Sequence, residues 1–308
     1  MSNKKKLHPF SGTGVALITP FRNYHIDYPA LEEIINFVID SGVDYVVSLG
    51  TTGEAITLST AECREVLDFT LEKVNGRVPV VAGYFGSNYT EKLVNTIRNF
   101  NFDGVAAIMS SSPAYSKPQQ EGIYQHYMRI AEASPRPIII YNVPGRTSSN
   151  VAPETVLRLA QASEQFVAVK EASGNLVQAT KILKERPEHL AVVSGEDPLT
   201  LPMIGAGADG VISVIANVFP AHFSAMVRSA LQGDFDTARR LNFELLDVHP
   251  WLYIENNPVG IKAAMEIAGF CSKEVRIPLV PLSDATYLKL KAAMDAVPMF
   301  EVESKSIG

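Results

Sequence analysis

Lys170 closes an apolar run, Phe166-Val167-Ala168-Val169-Lys170, that reads as a buried parallel strand, where an ammonium is rarely tolerated. Such a lysine either finds a buried partner or is there because its amine is wanted uncharged, as the nucleophile that condenses with a carbonyl to form a Schiff base. Strand-end lysines also serve as phosphate ligands, ion-pair partners or solvated loop residues, so the neighbours must decide. Tyr141 ends the preceding apolar run. Side chains alternate with period two, which puts Ile139 and Tyr141 on one face of their strand and Phe166, Ala168 and Lys170 on one face of theirs. A phenol and an amine at the tops of adjacent strands, both facing inward, is what proton transfer around a Schiff base requires. The competing arrangement leaves Tyr141 on the rim and Lys170 in solvent.

Two further turns carry suitable groups. Gly50-Thr51-Thr52-Gly53-Glu54 places two hydroxyls between glycines after an apolar run; backbone N–H groups in such a turn suit a carboxylate or phosphate, and the hydroxyls could bind or relay protons. Threonines that merely cap the next helix would read the same way. Tyr141-Asn142-Val143-Pro144-Gly145-Arg146-Thr147 adds a guanidinium, the group that grips a carboxylate with two parallel hydrogen bonds. Gly205-Ala206-Gly207-Ala208-Asp209-Gly210 looks like a phosphate loop, yet it runs from a helical stretch into the start of an apolar run, so a tight αβ turn accounts for it better.

These turns need a frame, and the hydrophobic pattern supplies one. Strand-like runs fall at 14–19, 44–49, 78–83, 104–109, 137–141, 166–170, 190–194 and 210–214. Helical patterns separate them at 30–41, 60–74, 90–100, 120–133, 153–162, 176–184 and 198–205, with 220–232 after the last run. Alternation of this kind predicts right-handed βα units closing into a (β/α)8 TIM barrel, an α/β fold whose active site lies at the carboxyl ends of the strands; an open doubly wound sheet is the alternative. Pro153 and Pro220 suit first-turn positions, and Thr60 with Cys63 three residues on reads as a helix cap without the full capping box. From 234 the strands stop and the pattern is helical at 234–254, 259–268 and 284–296. We therefore expect a catalytic barrel over 1–233 and a helical extension over 234–308, packed on the barrel's outside or on another subunit.

Composition excludes several classes. No segment approaches the ~18 consecutive apolar residues of a membrane span, and a formal charge of -6 is not that of a general nucleic-acid binder. Lys4-Lys5-Lys6 reads as a short solvated basic tail, and no apolar stretch or cleavage site follows it, so a cytoplasmic address is expected. Cys63 and Cys271 lack metal-ligand spacing and are expected to be reduced thiols.

Taken together, Gly50-Thr51-Thr52-Gly53-Glu54, the Tyr141 to Thr147 segment, Val169-Lys170-Glu171-Ala172-Ser173-Gly174-Asn175 and Gly210-Val211-Ile212-Ser213-Val214 resemble the dihydrodipicolinate synthase / N-acetylneuraminate lyase family of class I aldolases. The resemblance runs from Gly14-Val15-Ala16-Leu17-Ile18-Thr19-Pro20-Phe21 to the helical tail. It implies a pyruvate-dependent Schiff-base lyase without metal or organic cofactor. The Arg146 motif resembles the synthase branch rather than the sialic acid lyases, which implies condensation of pyruvate with L-aspartate-4-semialdehyde on the diaminopimelate route to lysine. A retro-aldolase acting on a keto-sugar acid, or another 2-keto-acid aldolase, is the rival enzyme; a non-catalytic barrel that binds a keto acid is the rival outside enzymes.

Carried over motif by motif, the resemblance makes Lys170 the Schiff-base lysine, Tyr141 the proton-transferring phenol and Thr51 the relay hydroxyl. It gives Thr52 and Ile212 to pyruvate, Gly195 to the pocket lining and Arg146 to the carboxylate of the semialdehyde. Tyr115 matches the tyrosine that completes the relay in a neighbouring subunit's site, implying a homo-oligomer of at least a tight dimer and, by family habit, a tetramer built as a dimer of dimers. Two departures stand out. Ala114 occupies a position where many relatives carry a second tyrosine, so intersubunit stacking there is lost or replaced. Around the family's lysine-binding allosteric pocket, Asn88 matches, but Lys92 aligns with a glutamate of lysine-sensitive relatives, and Thr60 and Cys63 replace histidines. A lysine ligand's ammonium would then meet a like charge.

Overall fold

A computed structural model describes residues 8–300. Lys4-Lys5-Lys6 and the last eight residues of the expected extension, 301–308, lie outside the described residues. Eight parallel strands form the barrel: β1 (Gly12–Ala16), β2 (Tyr45–Ser48), β3 (Val80–Ala82), β4 (Val105–Ser111), β5 (Ile138–Asn142), β6 (Phe166–Glu171), β7 (Ala191–Ser194) and β8 (Gly210–Ser213). Each pairs with the next, and β1 pairs with both β2 and β8, which closes the sheet. A two-stranded antiparallel ribbon, Phe21–Arg22 with His25–Ile26, follows β1. Helices at Tyr28–Asp40, Thr60–Val74, Thr90–Arg98, Gln120–Ala133, Pro153–Ala162, Leu176–Glu185, Thr200–Gly205 and Pro220–Leu231 form the outer ring. The apolar runs become strands because both their faces are covered. One face meets the helices, through residues such as Ile34, Leu67, Ile130 and Val227; the other fills the barrel, where Ala16, Tyr45, Val47, Met109, Ala168 and Ile212 pack together.

β1 and β8 approach closely. A Cβ on Gly210 (φ +153) would lie 2.0 Å from the Gly12 carbonyl oxygen, so glycine is required there. The loop before it is the tight αβ turn expected: Asp209 accepts from the Val192 amide at 2.8 Å and is paired with the Arg186 guanidinium, which holds the turn at the strand starts, away from the site.

Four details depart from the sequence reading. The register slips between Ile138 and Ile139: Ile138 faces Phe166, but Ile139 faces Ala168. This β-bulge breaks the strict alternation, so Phe166 does not share the inner face with Ala168; it packs outward, with its ring 6.2 Å from that of Tyr127. The second helix is capped by Ser59 rather than Thr60, and the capping box is complete, because the Ser59 hydroxyl accepts from the Glu62 amide while the Glu62 carboxylate accepts from the Ser59 amide. The single helix expected over 234–254 is two, Phe235–Leu246 and His249–Tyr253. Pro250 in the first turn of the second has no amide to continue the first and would clash with its backbone. Finally, the extension, completed by Val259–Ile267 and Asp284–Asp295, does more than coat the outside. Its 253–276 stretch reaches over the strands' carboxyl ends to Thr52, Glu54, Arg146 and Asp197. Among the described residues no helix is long and apolar enough to cross a membrane.

Candidate active site

Lys170 on β6 lies directly opposite Tyr141 on β5. Both are buried, at 5% and 8% exposure, and the Lys170 Nζ sits 4.4 Å from the centroid of the Tyr141 ring. The amine therefore faces the phenol inside the barrel, and the solvated alternative does not hold. Space for the lysine comes from Gly195, just past β7: a Cβ there would fall 2.5 Å from the Ala172 Cβ and 3.1 Å from the Lys170 Cε.

The next residue, Glu171, points the other way, as strand alternation requires. Its buried carboxylate accepts from the Asn142 Nδ2 at 3.0 Å, the Ser173 amide at 2.7 Å and the Gln178 Nε2 at 2.9 Å. Asn150 extends this network to Asn142 and Gln178. A fully bonded buried carboxylate behind the lysine pins the ends of β5 and β6 in one register and leaves the amine without an adjacent counter-ion on its own strand.

The turn after β2 packs tightly against the one after β3; a Cβ on Gly83 would come within 2.8 Å of the Gly50 backbone. Thr51 is half-buried and Thr52 is buried. Neither caps a helix, since the 3-10 turn Ala55–Thr57 starts after Glu54 and the following α-helix is capped by Ser59. Thr52 Oγ1 instead accepts from the Asn257 Nδ2 at 3.1 Å. The same asparagine's carbonyl accepts from Arg146 at 3.1 Å, so Asn257 bridges the hydroxyl turn and the guanidinium. Arg146 stands on the short helical turn Pro144–Thr147 that follows β5, with an exposed side chain. Glu54 ends the hydroxyl turn and forms a fully buried ion pair with Lys262 of the extension. Burial pulls the Lys262 ammonium below its usual range while Glu54 pulls it back.

A cleft of about 550 Å³ opens over this end of the barrel, lined by Thr51, Tyr84, Tyr141, Arg146, Thr147 and Asn256 among others. Tyr141 is the member of the amine–phenol pair that reaches the lining. Ile212 belongs to the same cluster in the barrel interior. A groove of similar size, about 600 Å³, runs along the helix Phe235–Leu246, but its lining is a mixture of solvated charges of both signs with no buried reactive group. Beside Lys170 and Arg146 stands Glu196, whose carboxyl is raised by burial and by neighbouring Asp197, and partly restored by those two cations.

The structure thus gathers Lys170, Tyr141, Gly195, Thr51, Thr52, Ile212 and Arg146 at one end of the barrel. Tyr115 is the exception: it is 91% exposed, with a left-handed backbone (φ +65), and does not line the cleft of its own chain. Asn257, Glu54, Lys262 and the Glu171 network were not anticipated. Asn257 meets Thr52 and Lys262 meets Glu54 across more than two hundred residues, and Asn257 meets Arg146 across 111, and nothing local marks such contacts.

The dihydrodipicolinate synthetase family profile matches residues 9–297. The 4-hydroxy-tetrahydrodipicolinate synthase of Parabacteroides distasonis is 45% identical over 284 residues, covering 92% of this chain and 95% of the relative. That of Cytophaga hutchinsonii is 46% identical over 288 residues, covering 93% and 96%. Among solved structures, dihydrodipicolinate synthase from Aquifex aeolicus superposes with a TM-score of 0.89 at 40% identity, covering 93% of this chain and 97% of that one.

Proposed function

Since the chain belongs to the dihydrodipicolinate synthetase family, we propose that it is a lyase of the 4-hydroxy-tetrahydrodipicolinate synthase type, condensing pyruvate with L-aspartate-4-semialdehyde in lysine biosynthesis. The observation that carries this reading is the buried Lys170 amine held against the Tyr141 phenol. The Lys170 amine attacks the pyruvate ketone and expels water, leaving an iminium that draws electrons from the methyl carbon. Tyr141, its own proton passed to Thr51 as relay hydroxyl, takes a methyl proton, and the enamine carbon then attacks the aldehyde, whose oxygen takes that proton from Tyr141. Thr52 and the barrel-end residue Ile212 hold the keto acid, and Gly195 leaves room for it beside the lysine. Arg146, steadied by the Asn257 carbonyl, grips the semialdehyde's carboxylate. The semialdehyde's own amine then displaces Lys170 from the imine, closing the ring and freeing the enzyme. As proposed, the lysine is the electron sink and no cofactor enters a step.

Tyr115 fits a site completed by a second copy of the chain, since its phenol is turned to solvent from an otherwise ordered loop in which its amide donates to the Thr147 carbonyl at 3.1 Å. We propose a homo-oligomer, a dimer of dimers, on this ground and on the family resemblance. A cytoplasmic location fits the two cysteines, both free and buried. The test is peptide mapping after the protein is mixed with pyruvate and borohydride, which reduces an imine to a stable secondary amine. An adduct on Lys170 is expected; no adduct, or one elsewhere, overturns the mechanism. Activity with a keto-sugar acid and none with aspartate semialdehyde would move the assignment to the lyase branch.

A further inference from the structure

The carboxylate of Asp197, only 1% exposed, stands three residues beyond the end of β7 and has three donors. The Val214 amide donates to it at 3.0 Å, the Ile215 amide at 2.8 Å and the Tyr253 hydroxyl at 3.0 Å. Val214 and Ile215 follow directly on β8, whose Ile212 belongs to the same interior cluster as Tyr141. The opposite side of the same turn is held by Asn217, which donates to the Ala16 carbonyl at 2.8 Å and accepts from the Ile18 amide at 3.2 Å. The turn after β8 is therefore braced from both flanks. The Asn217 brace is internal to the barrel; the Asp197 brace depends on a phenol supplied by the helical extension.

We infer that Asp197 and Tyr253 are a positioning pair for the keto-acid end of the site, an inference that rests on the function proposed above. Asp197 is two residues from Gly195, which leaves the space for the Lys170 Cε, and it is bonded to the amides just past Ile212, so two of the three groups assigned to that end hang on one carboxylate, the third, Thr52, being held by Asn257. A buried carboxylate stays put only while its lone pairs are matched, and losing one donor in such surroundings displaces it or admits water. The Tyr253 phenol, raised well above its ordinary range by burial and then by Asp197, remains a donor throughout the working pH. Arg146, at the aldehyde end, is held outside this pair by the Asn257 carbonyl, the same residue whose side chain holds Thr52. The pair should therefore govern one substrate and not the other.

Steady-state kinetics of Tyr253→Phe, which keeps the ring and removes the hydroxyl, tests this. The expected result is a KM for pyruvate raised about five- to tenfold, the scale of one ordinary lost hydrogen bond, with the KM for aspartate semialdehyde within about twofold of the unaltered protein. Asp197→Asn should shift the same constant in the same direction and further. Unmoved constants, or equal rises in both, would overturn the pairing, because a merely structural role loosens both ends alike. Tyr253→Phe decides the matter even if Asp197→Asn fails to fold. The unaltered protein is trapped with pyruvate and borohydride in parallel: absence of the Lys170 adduct would overturn the keto-acid reading and the pairing with it, whereas an adduct together with unmoved constants overturns the pairing alone.

Discussion

Gly195→Ala adds one methyl group at the point where β7 passes the lysine. Its carbon would lie 2.5 Å from the Ala172 Cβ, where ordinary contact begins at about 3.4 Å, a shortfall of about 0.9 Å. Ala172 cannot absorb this by rotating, since its side chain ends in that same carbon and its Cα is a further 3.2 Å contact. The displacement must go into the backbone after β6, two residues beyond Lys170, or into the β7 turn, and the Lys170 Cε at 3.1 Å must yield as well. Overpacking of this kind costs roughly 1–3 kcal/mol of stability. The effect on chemistry should be larger, because a misplacement of about 1 Å in a reacting group lowers the rate by roughly a hundredfold. Stopped-time borohydride trapping with pyruvate isolates imine formation, and coupled turnover gives kcat. We expect both to fall by roughly two orders of magnitude while the protein remains folded. Turnover within about threefold of the unaltered enzyme would show that the lysine is not held by Gly195, and the packing argument would fail.

Lys262→Met should destabilise the fold by about 3–5 kcal/mol, because it strands the Glu54 carboxylate in a site that is fully buried; Glu54→Gln combined with Lys262→Met should recover part of the loss in urea unfolding, and a single variant within about 1 kcal/mol of the unaltered protein would contradict the pairing. Arg276 hydrogen-bonds Glu62 and holds its carboxyl down to about 2, from 4.5 for an ordinary glutamate. A depressed carboxyl stabilises above its unfolded value, so this contribution is complete above about 4.5 and disappears as pH falls through about 2; Glu62→Gln should flatten the acid limb of stability in that window, as followed by circular dichroism. L-lysine should inhibit weakly or not at all, since Lys92 is exposed where a carboxylate would be needed and the adjacent Glu91 is already paired with Arg129 at 3.2 Å. Strong inhibition of initial rates at low millimolar lysine would contradict this.

What could be read in advance followed from short-range periodicity. Alternation put Lys170 and Tyr141 on inward faces of adjacent strands, and the closed barrel delivers that meeting because parallel registers carry it across. The same rule misplaced Phe166, since a bulge inserts a residue without any change in composition. Proline marked helix starts correctly at Pro153 and Pro220, yet Pro250 lay inside an apolar, helix-like stretch and its break went unread. The carboxylates were the least legible. Glu171 follows Lys170 directly, but strand geometry turns it to the opposite face, where Asn142, Ser173 and Gln178 from three segments bond it.

The extension was legible as helices and illegible as part of the site, and the reason is physical. Each of its contributions comes from a single residue far along the chain from the group it meets. Asn257 joins Thr52 to Arg146, Lys262 holds Glu54 at the end of the same turn, and Tyr253 completes the partners of Asp197. The turns after β2, β5 and β7 are thus each tied to the one stretch of chain that crosses them. Loops on a barrel are its most mobile parts, and a catalytic constellation tolerates little looseness. A barrel ending at 233 would keep its strands and helices while stripping Glu54 and the Thr52 hydroxyl of these partners and Asp197 of one of its three donors. The boundary visible in the strand pattern therefore divides the fold but not the chemistry.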